Sequence, residues 1–217
     1  MGGQSFINSA APPFFSLKMK KLLYIHGFRS SARSSTILSI RAHYHHIEVH
    51  AFDVTHHPAE SIKKIESYIA EHDIDMLAGT SLGGYYTLCA KVDIPKIAVN
   101  PVVNPEDSLS LLSNIGEELE YYNVREDGVS TFICTSEDLE EFKGIEKYIT
   151  PATHIISSNN DEVLGDLRPQ YRQMVGDRLH ESSQLGHRIT PEFIAIPTGD
   201  FYKVLSQLMR DVLKEEI

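Results

Sequence analysis

The chain has 217 residues, 41% of them hydrophobic and 9% aromatic, with a formal net charge of −10: enough apolar material for one core, and no basic face for nucleic acid or an anionic membrane. The two cysteines, Cys89 and Cys134, lie in apolar segments and make no disulfide framework, which predicts a reducing, cytoplasmic setting. No run of about 20 apolar residues predicts a membrane span.

Residues 1–18, MGGQSFINSAAPPFFSLK, lack the basic start and long apolar stretch of a secretory signal, and Phe6 stands where a myristoylation signal needs Ser or Thr. They are expected to be a disordered leader or expression arm, with a single domain over 19–217. From Lys20 on, short apolar runs alternate with amphipathic stretches. LLYIHG reads as a buried strand, followed by a helix carrying Ile37, Leu38, Ile40 and Tyr44 on one face. IEVHAFDV reads as a second strand, and Pro58 opens a helix whose Ile62, Ile65 and Ile69 share a face. DMLAGTS, a helix from about Leu82, and KIAVNP extend the alternation. THIISSNND and DRLHE are later strands, and Thr198 is placed to cap a last helix bearing Phe201, Leu205, Leu208 and Val212. The class is α/β, a mostly parallel sheet with helices on both faces.

Residues 102–150 interrupt this pattern. They hold twelve acidic and three basic residues, a net −9 that leaves the rest of the chain almost neutral. Such a run is ordinarily a solvated face; its position also suits a cap over a site. A cap of this charge predicts a preference for small neutral ligands over ones bearing carboxylate or phosphate, with Arg29 and Arg33 as the local groups able to oppose it.

Gly79-Thr80-Ser81-Leu82-Gly83 matches G-x-S-x-G, a pattern expected by chance in roughly one chain of this length in fifteen. Its context adds weight. A strand before it and a helix after it would lift the Ser81 hydroxyl above the sheet edge, with Gly79, Gly83 and Gly84 allowing close approach. A serine nucleophile also needs a base, an orienting acid and an oxyanion site. YIHGFRSS ends the first strand, so the Phe28 N–H and the Leu82 N–H are the candidate oxyanion donors. His26, Arg29 and Tyr85, beside these motifs, are candidate substrate-binding residues, His26 being more often a brace for such a loop than a participant in chemistry. Asp161 follows a strand and is the candidate acid, with Glu162 and Asp166 as alternatives. Chain order Ser, Asp, His leaves His180 and His187 as bases; His187 lies in a loop after a glycine, whereas His180 falls inside a strand pattern.

HYHHIEVH, with His56 and His57, raises a metal reading, but its spacing matches no known site: His43 and His46 fall at a helix end and His50 on a strand. No P-loop lysine follows the glycines. No metal or cofactor is expected.

LLYIHGFRSSARSS, GTSLGGYY, VNPVVNP, NNDEVL and GHR, in this order, resemble the YqiA/YcfP-type family of small bacterial esterases with an α/β-hydrolase fold, over about Lys20 to His187. The resemblance implies cofactor-free carboxylic-ester hydrolysis by a Ser81, Asp161 and His187 triad. The end departs from the family pattern: Leu185-Gly186-His187-Arg188 stands where Gly-Gly-Asp/Asn-His is usual, and the connection to the last helix is longer. The expected partner is a small-molecule ester, with no nucleic acid or membrane and no oligomeric state assigned. A thioesterase or acyltransferase with the same triad, and a non-catalytic binding or scaffolding module on the same fold, are the alternatives.

Overall fold

Strand β1 (Lys20–Ile25) buries side chains on both of its faces, Leu22 and Tyr24 on one and Leu23 and Ile25 on the other. Only an inner strand of a sheet covered on both sides has that environment. The computed structural model describes residues 19–195 and 199–214; the expected leader 1–18 and the expected cap Thr198 lie outside the described residues.

Around β1, strands β2 (Ile47–His50), β3 (Met76–Thr80), β4 (Lys96–Val99), β7 (Thr153–Ser158) and β8 (Leu179–Ser182) form a six-stranded sheet in the order β2-β1-β3-β4-β7-β8. Every neighbouring pair is parallel. On one face Leu22, Tyr24, Met76, Ala78, Ile97 and Val99 meet helices α1 (Ser35–His43), α7 (Pro191–Ala195) and α8 (Asp200–Lys214). On the other, Leu23, Ile25 and Leu77 meet α2 (Pro58–His72) and α3 (Leu82–Cys89). Ala98 and Ile155 pack on α6 (Arg168–Val175) through Tyr171 and Val175. Parallel connections put the carboxyl ends of all six strands at one edge, where loops carry the chemistry.

The insert leaves that edge after β4. It contains α4 (Pro105–Leu112), an antiparallel hairpin of β5 (Glu118–Glu120) and β6 (Thr131–Ile133), and α5 (Ser136–Glu140), before the chain re-enters the sheet at β7. Its hairpin lies against the loop that follows β1: Tyr122 N–H donates to the Arg29 carbonyl at 2.8 Å, Arg29 Nε to the Glu120 carbonyl at 2.9 Å, and Ser31 Oγ to the Val124 carbonyl at 3.0 Å. Phe132 stands edge-on to Phe28, ring centroids 5.5 Å apart.

Two details differ from the sequence reading. Leu38 is 57% exposed: α1 seats Ile37 and Ile40 on the sheet, and one residue beyond Ile37 the helix has turned by about 100°. β2 stops at His50, four residues short, because the following backbone bonds loops and not a strand. Val54 N–H donates to His26 Nε2 at 3.1 Å, and the Asp53 carboxylate accepts from Ala32 N–H and Glu126 N–H at 2.8 and 2.6 Å. Among the described residues no helix is long and apolar enough to cross a membrane.

Candidate functional site

Ser81 sits between β3 and α3 with φ 56° and ψ −119°, in the left-handed region that a residue with a side chain rarely adopts. The strain is held by backbone packing on both sides. A Cβ at Gly79 would lie 2.3 Å from the Gly83 carbonyl oxygen, and one at Gly83 would lie 2.3 Å from the Ile25 carbonyl oxygen. Only glycine lets strand, turn and helix come this close. Ser81 N–H donates to the Val99 carbonyl at 3.0 Å, and its own carbonyl accepts from Tyr85 and Val102 N–H at 3.0 and 3.2 Å.

The hydroxyl so presented meets a histidine. His187 Nε2 is 3.1 Å from Ser81 Oγ, and His187 Nδ1 is 2.9 and 3.1 Å from the two oxygens of Asp161. The side chains of His187 and Asp161 are 9% and 4% exposed, so the contacts are made in a poorly solvated place. Asp161 comes from the loop after β7, where its Oδ1 also accepts from the N–H groups of Val163 and Leu164 at 2.9 and 2.7 Å, fixing the carboxylate. Burial works against its ionisation; the hydrogen bonds from His187, Leu164 and Val163 prevail and hold the carboxyl below the usual range. The other acids considered, Glu162 and Asp166, point elsewhere: Glu162 Oε2 accepts the His187 backbone N–H at 2.9 Å, and Asp166 pairs with Arg168 at 2.7 Å. His180 lies in β8 against His154, 2.9 Å away, and not in this cluster.

The loop after β1 completes the surroundings of Ser81. A Cβ at Gly27 would stand 3.2 Å from Ser81 Cβ and 3.8 Å from Oγ, so the peptide leading to Phe28 passes beside the hydroxyl. Neither Phe28 N–H nor Leu82 N–H has a protein acceptor among the described residues. His26 is buried beneath the loop, its Nδ1–H donating to the Gly27 carbonyl at 2.8 Å and its Nε2 accepting from Val54 N–H at 3.1 Å. Burial lowers its pKa to about 4, against the attraction of Asp53, and the pair of contacts fits one neutral tautomer. Arg29, also at a left-handed φ of 58°, lies over the Tyr122 ring at 4.4 Å.

A cleft of about 320 Å³ opens over Ser81 and His187, walled by the 27–30 loop, Ser34 to Thr36, and Tyr122 and Asn123 of the insert. His26 and Arg29 border it. Tyr85 does not: it is 1% exposed, with its ring against Phe142 and Tyr86 in the core, because this part of α3 faces the insert and not the cleft. Three contributors were not anticipated from sequence: Asn100, Tyr122 and Arg188. Asn100, with φ 42°, binds the His187 loop from behind; an asparagine ending a strand just before a proline was the available signal.

Among the described residues, one group has the donors of a metal site: His56, His57 and Asp138, with ligand atoms within 4.8 Å of one another. Of the other histidines weighed for metal, His43 bonds the Ser39 carbonyl and His50 bonds Tyr68 and Glu48. His56 Nε2 is 3.3 Å from Asp138, and His57 Nδ1 is 3.2 Å from Glu141, so these groups also tie α5 to the start of α2.

Solved structures share this architecture. Est1E from Butyrivibrio proteoclasticus is similar at 16% identity and a TM-score of 0.64, covering 89% of each chain. Alpha/beta hydrolase domain-containing protein 10 from mouse is similar at 14% and 0.59, covering 92% of each chain. The esterase domain of a Rhodothermus marinus protein is similar at 15% and 0.57, covering 90% of this chain and 89% of that one. The parallel sheet and its strand-turn-helix serine are those of an α/β-hydrolase fold. With residues 21–181 matching it, through the strands, the serine turn and the Asp161 loop, the chain belongs to the uncharacterised protein family UPF0227.

Proposed function

We propose that the protein is a serine hydrolase that cleaves small carboxylic esters through an acyl-enzyme. One observation carries the reading: a strained serine 3.1 Å from an imidazole whose far nitrogen faces a buried carboxylate at 2.9 Å. A serine in a merely structural turn would need neither the strain nor the relay. The esterases among the structural neighbours support the reading through the fold they share.

Asp161 keeps the His187 proton on Nδ1, leaving the Nε2 lone pair directed at Ser81 Oγ. As Oγ attacks the ester carbonyl carbon, Nε2 takes the hydroxyl proton and the carbonyl oxygen becomes an oxyanion. The free N–H groups of Phe28 and Leu82 receive it; such a preorganised donor is worth about 10²–10³ in rate. Collapse breaks the carbon–oxygen bond to the alcohol, which leaves with the proton from Nε2. Water then gives a proton to Nε2 and attacks the acyl carbon, and the second tetrahedral species breaks its bond to Ser81 Oγ, which takes that proton back from Nε2 as the free acid forms. No cofactor enters either half.

A fluorophosphonate probe and hydrolysis of 4-nitrophenyl butanoate test the reading together. Wild-type protein is expected to be labelled and to turn over the ester, and Ser81→Ala to do neither. Equal labelling of Ser81→Ala, or turnover within tenfold of wild type, overturns it.

A further inference from the structure

In a chain of net −10, the cleft above Ser81 has the opposite character. None of its lining residues is acidic, and two are arginines, Arg29 and Arg188. All twelve acids of the insert are kept off it; ten are exposed, and Glu106 and Asp138 are half-buried elsewhere. We infer that this cleft holds a subsite for an oxyanion, carboxylate or phosphate, carried on the ester at a distance from the scissile bond. The ester itself rests on the reading of Ser81 given above; the anion site rests on the following geometry.

Arg29 comes from the loop after β1 and Arg188 from the residue after His187, and both converge on one ring: their guanidinium carbons are 4.4 and 5.2 Å from the Tyr122 centroid. Neither has a carboxylate partner among the described residues. Arg29 spends only Nε, on the Glu120 carbonyl, so the terminal nitrogens that grip an oxyanion two at a time are uncommitted. Seating a guanidinium on an aromatic face positions it without neutralising it.

The start of α1 adds to the same field. Ser34, Ser35 and Thr36 border the cleft, no acidic residue occupies the first turn, and Ser34 makes no side-chain cap. The first N–H groups of a helix lack internal acceptors and carry its positive end. Two guanidiniums without a carboxylate partner among the described residues, the Ser34 and Ser35 hydroxyls and an uncapped helix start on one wall, with the nucleophile on another, describe a receptor for a substrate with an anionic end. The insert contributes Tyr122 and Asn123 to the wall and turns its charge outward, so the preference for neutral esters expected from its −9 does not follow from this geometry.

The test is binding, read without turnover. Ser81→Ala protein is titrated calorimetrically with monobutyl succinate, with 2-(phosphonooxy)ethyl butanoate and with uncharged butyl methyl succinate, at low and high salt. At least one anionic ester is expected to bind about tenfold tighter than the neutral one at low salt, with the margin shrinking as salt rises. Which of the two does so distinguishes carboxylate from phosphate. Arg188→Gln, at an exposed position, is expected to remove the margin, and Arg29→Gln to reduce it. The inference is overturned if the neutral ester binds as tightly as both anions, or if the margin survives both substitutions. Tight anion binding by a protein whose wild type hydrolyses no ester would uphold the subsite and overturn the proposed hydrolase.

Discussion

Asn100 holds His187 from behind: its side-chain amide donates to the His187 carbonyl at 3.1 Å and to the neighbouring Gly186 carbonyl at 2.8 Å. Its own oxygen accepts from Ser158 N–H at 2.7 Å, so one buried side chain joins the ends of β4 and β7 to the loop carrying the imidazole. Asn100→Ala frees that loop to drift. The expected result is a fall in kcat of about 100-fold, the scale of a 1 Å misplacement, with KM within twofold of wild type. Because Asn100 touches no substrate, a KM effect matching the kcat effect would show that it acts on binding and not on His187.

Asp161→Asn keeps the shape and hydrogen-bonding reach of the side chain but can present an N–H to His187 Nδ1, favouring the wrong tautomer. Loss of kcat by about 10⁴-fold is expected, with thermal stability close to wild type. Steady-state kinetics beside a melting curve check both. A loss under tenfold would mean that the imidazole takes its orientation from elsewhere.

His26 makes stability depend on pH. Its pKa is about 4 in the folded protein and near 6.5 in an unfolded chain. Above 6.5 both states are neutral there and nothing is lost. As pH falls, the unfolded chain takes up the proton first, so stability declines from about pH 6.5 and the loss is complete once pH passes through 4. The shift corresponds to about 3 kcal/mol between pH 7 and pH 4. His26→Gln can retain the contacts to Gly27 and Val54 without titrating. Urea unfolding at the two pH values should therefore show a loss smaller by about that amount in the variant, and equal losses would refute the assignment.

Gly83→Ala sets a methyl group 2.3 and 2.4 Å from the carbonyl oxygens of Ile25 and His26. Backbone on both sides leaves little room to relax, and a destabilisation of about 3 kcal/mol is expected. The movement would also shift Ser81 relative to the 27–28 peptide. Denaturant unfolding measures the first effect, and fluorophosphonate labelling rate the second; a variant as stable as wild type would mean that α3 moves away from β1 freely.

Much of the fold was legible because it is written in local patterns. The α2 boundaries follow from Pro58 and the Ile65 and Ile69 stripe, and β1, β3, β4 and β7 from short runs with an apolar centre between helical stretches. What escaped had no such pattern. α6 is mostly polar and buries only Tyr171 and Val175, so its periodicity is faint. The hairpin within the insert is two three-residue strands stabilised by distant loops. In the site, Ser81, Asp161 and His187 were readable from motif and chain order, and the structure brings them together. Tyr85 was misplaced because adjacency to Ser81 in sequence says nothing about which side of α3 faces the cleft. Arg188 and Tyr122 are 66 positions apart, and only the folded insert makes them neighbours.

In three hydrogen bonds to the loop after β1 the hairpin offers only main-chain atoms: Tyr122 N–H to the Arg29 carbonyl, the Glu120 carbonyl to Arg29 Nε, and the Val124 carbonyl to Ser31 Oγ. The side chains of Glu120 and Val124 are exposed and take no part in these bonds. The hairpin is thus a grafting platform. Its outward positions can be rewritten to recolour the rim of the cleft, in charge, bulk or polarity, while the hydrogen-bonded frame beneath holds the Phe28 N–H where it stands.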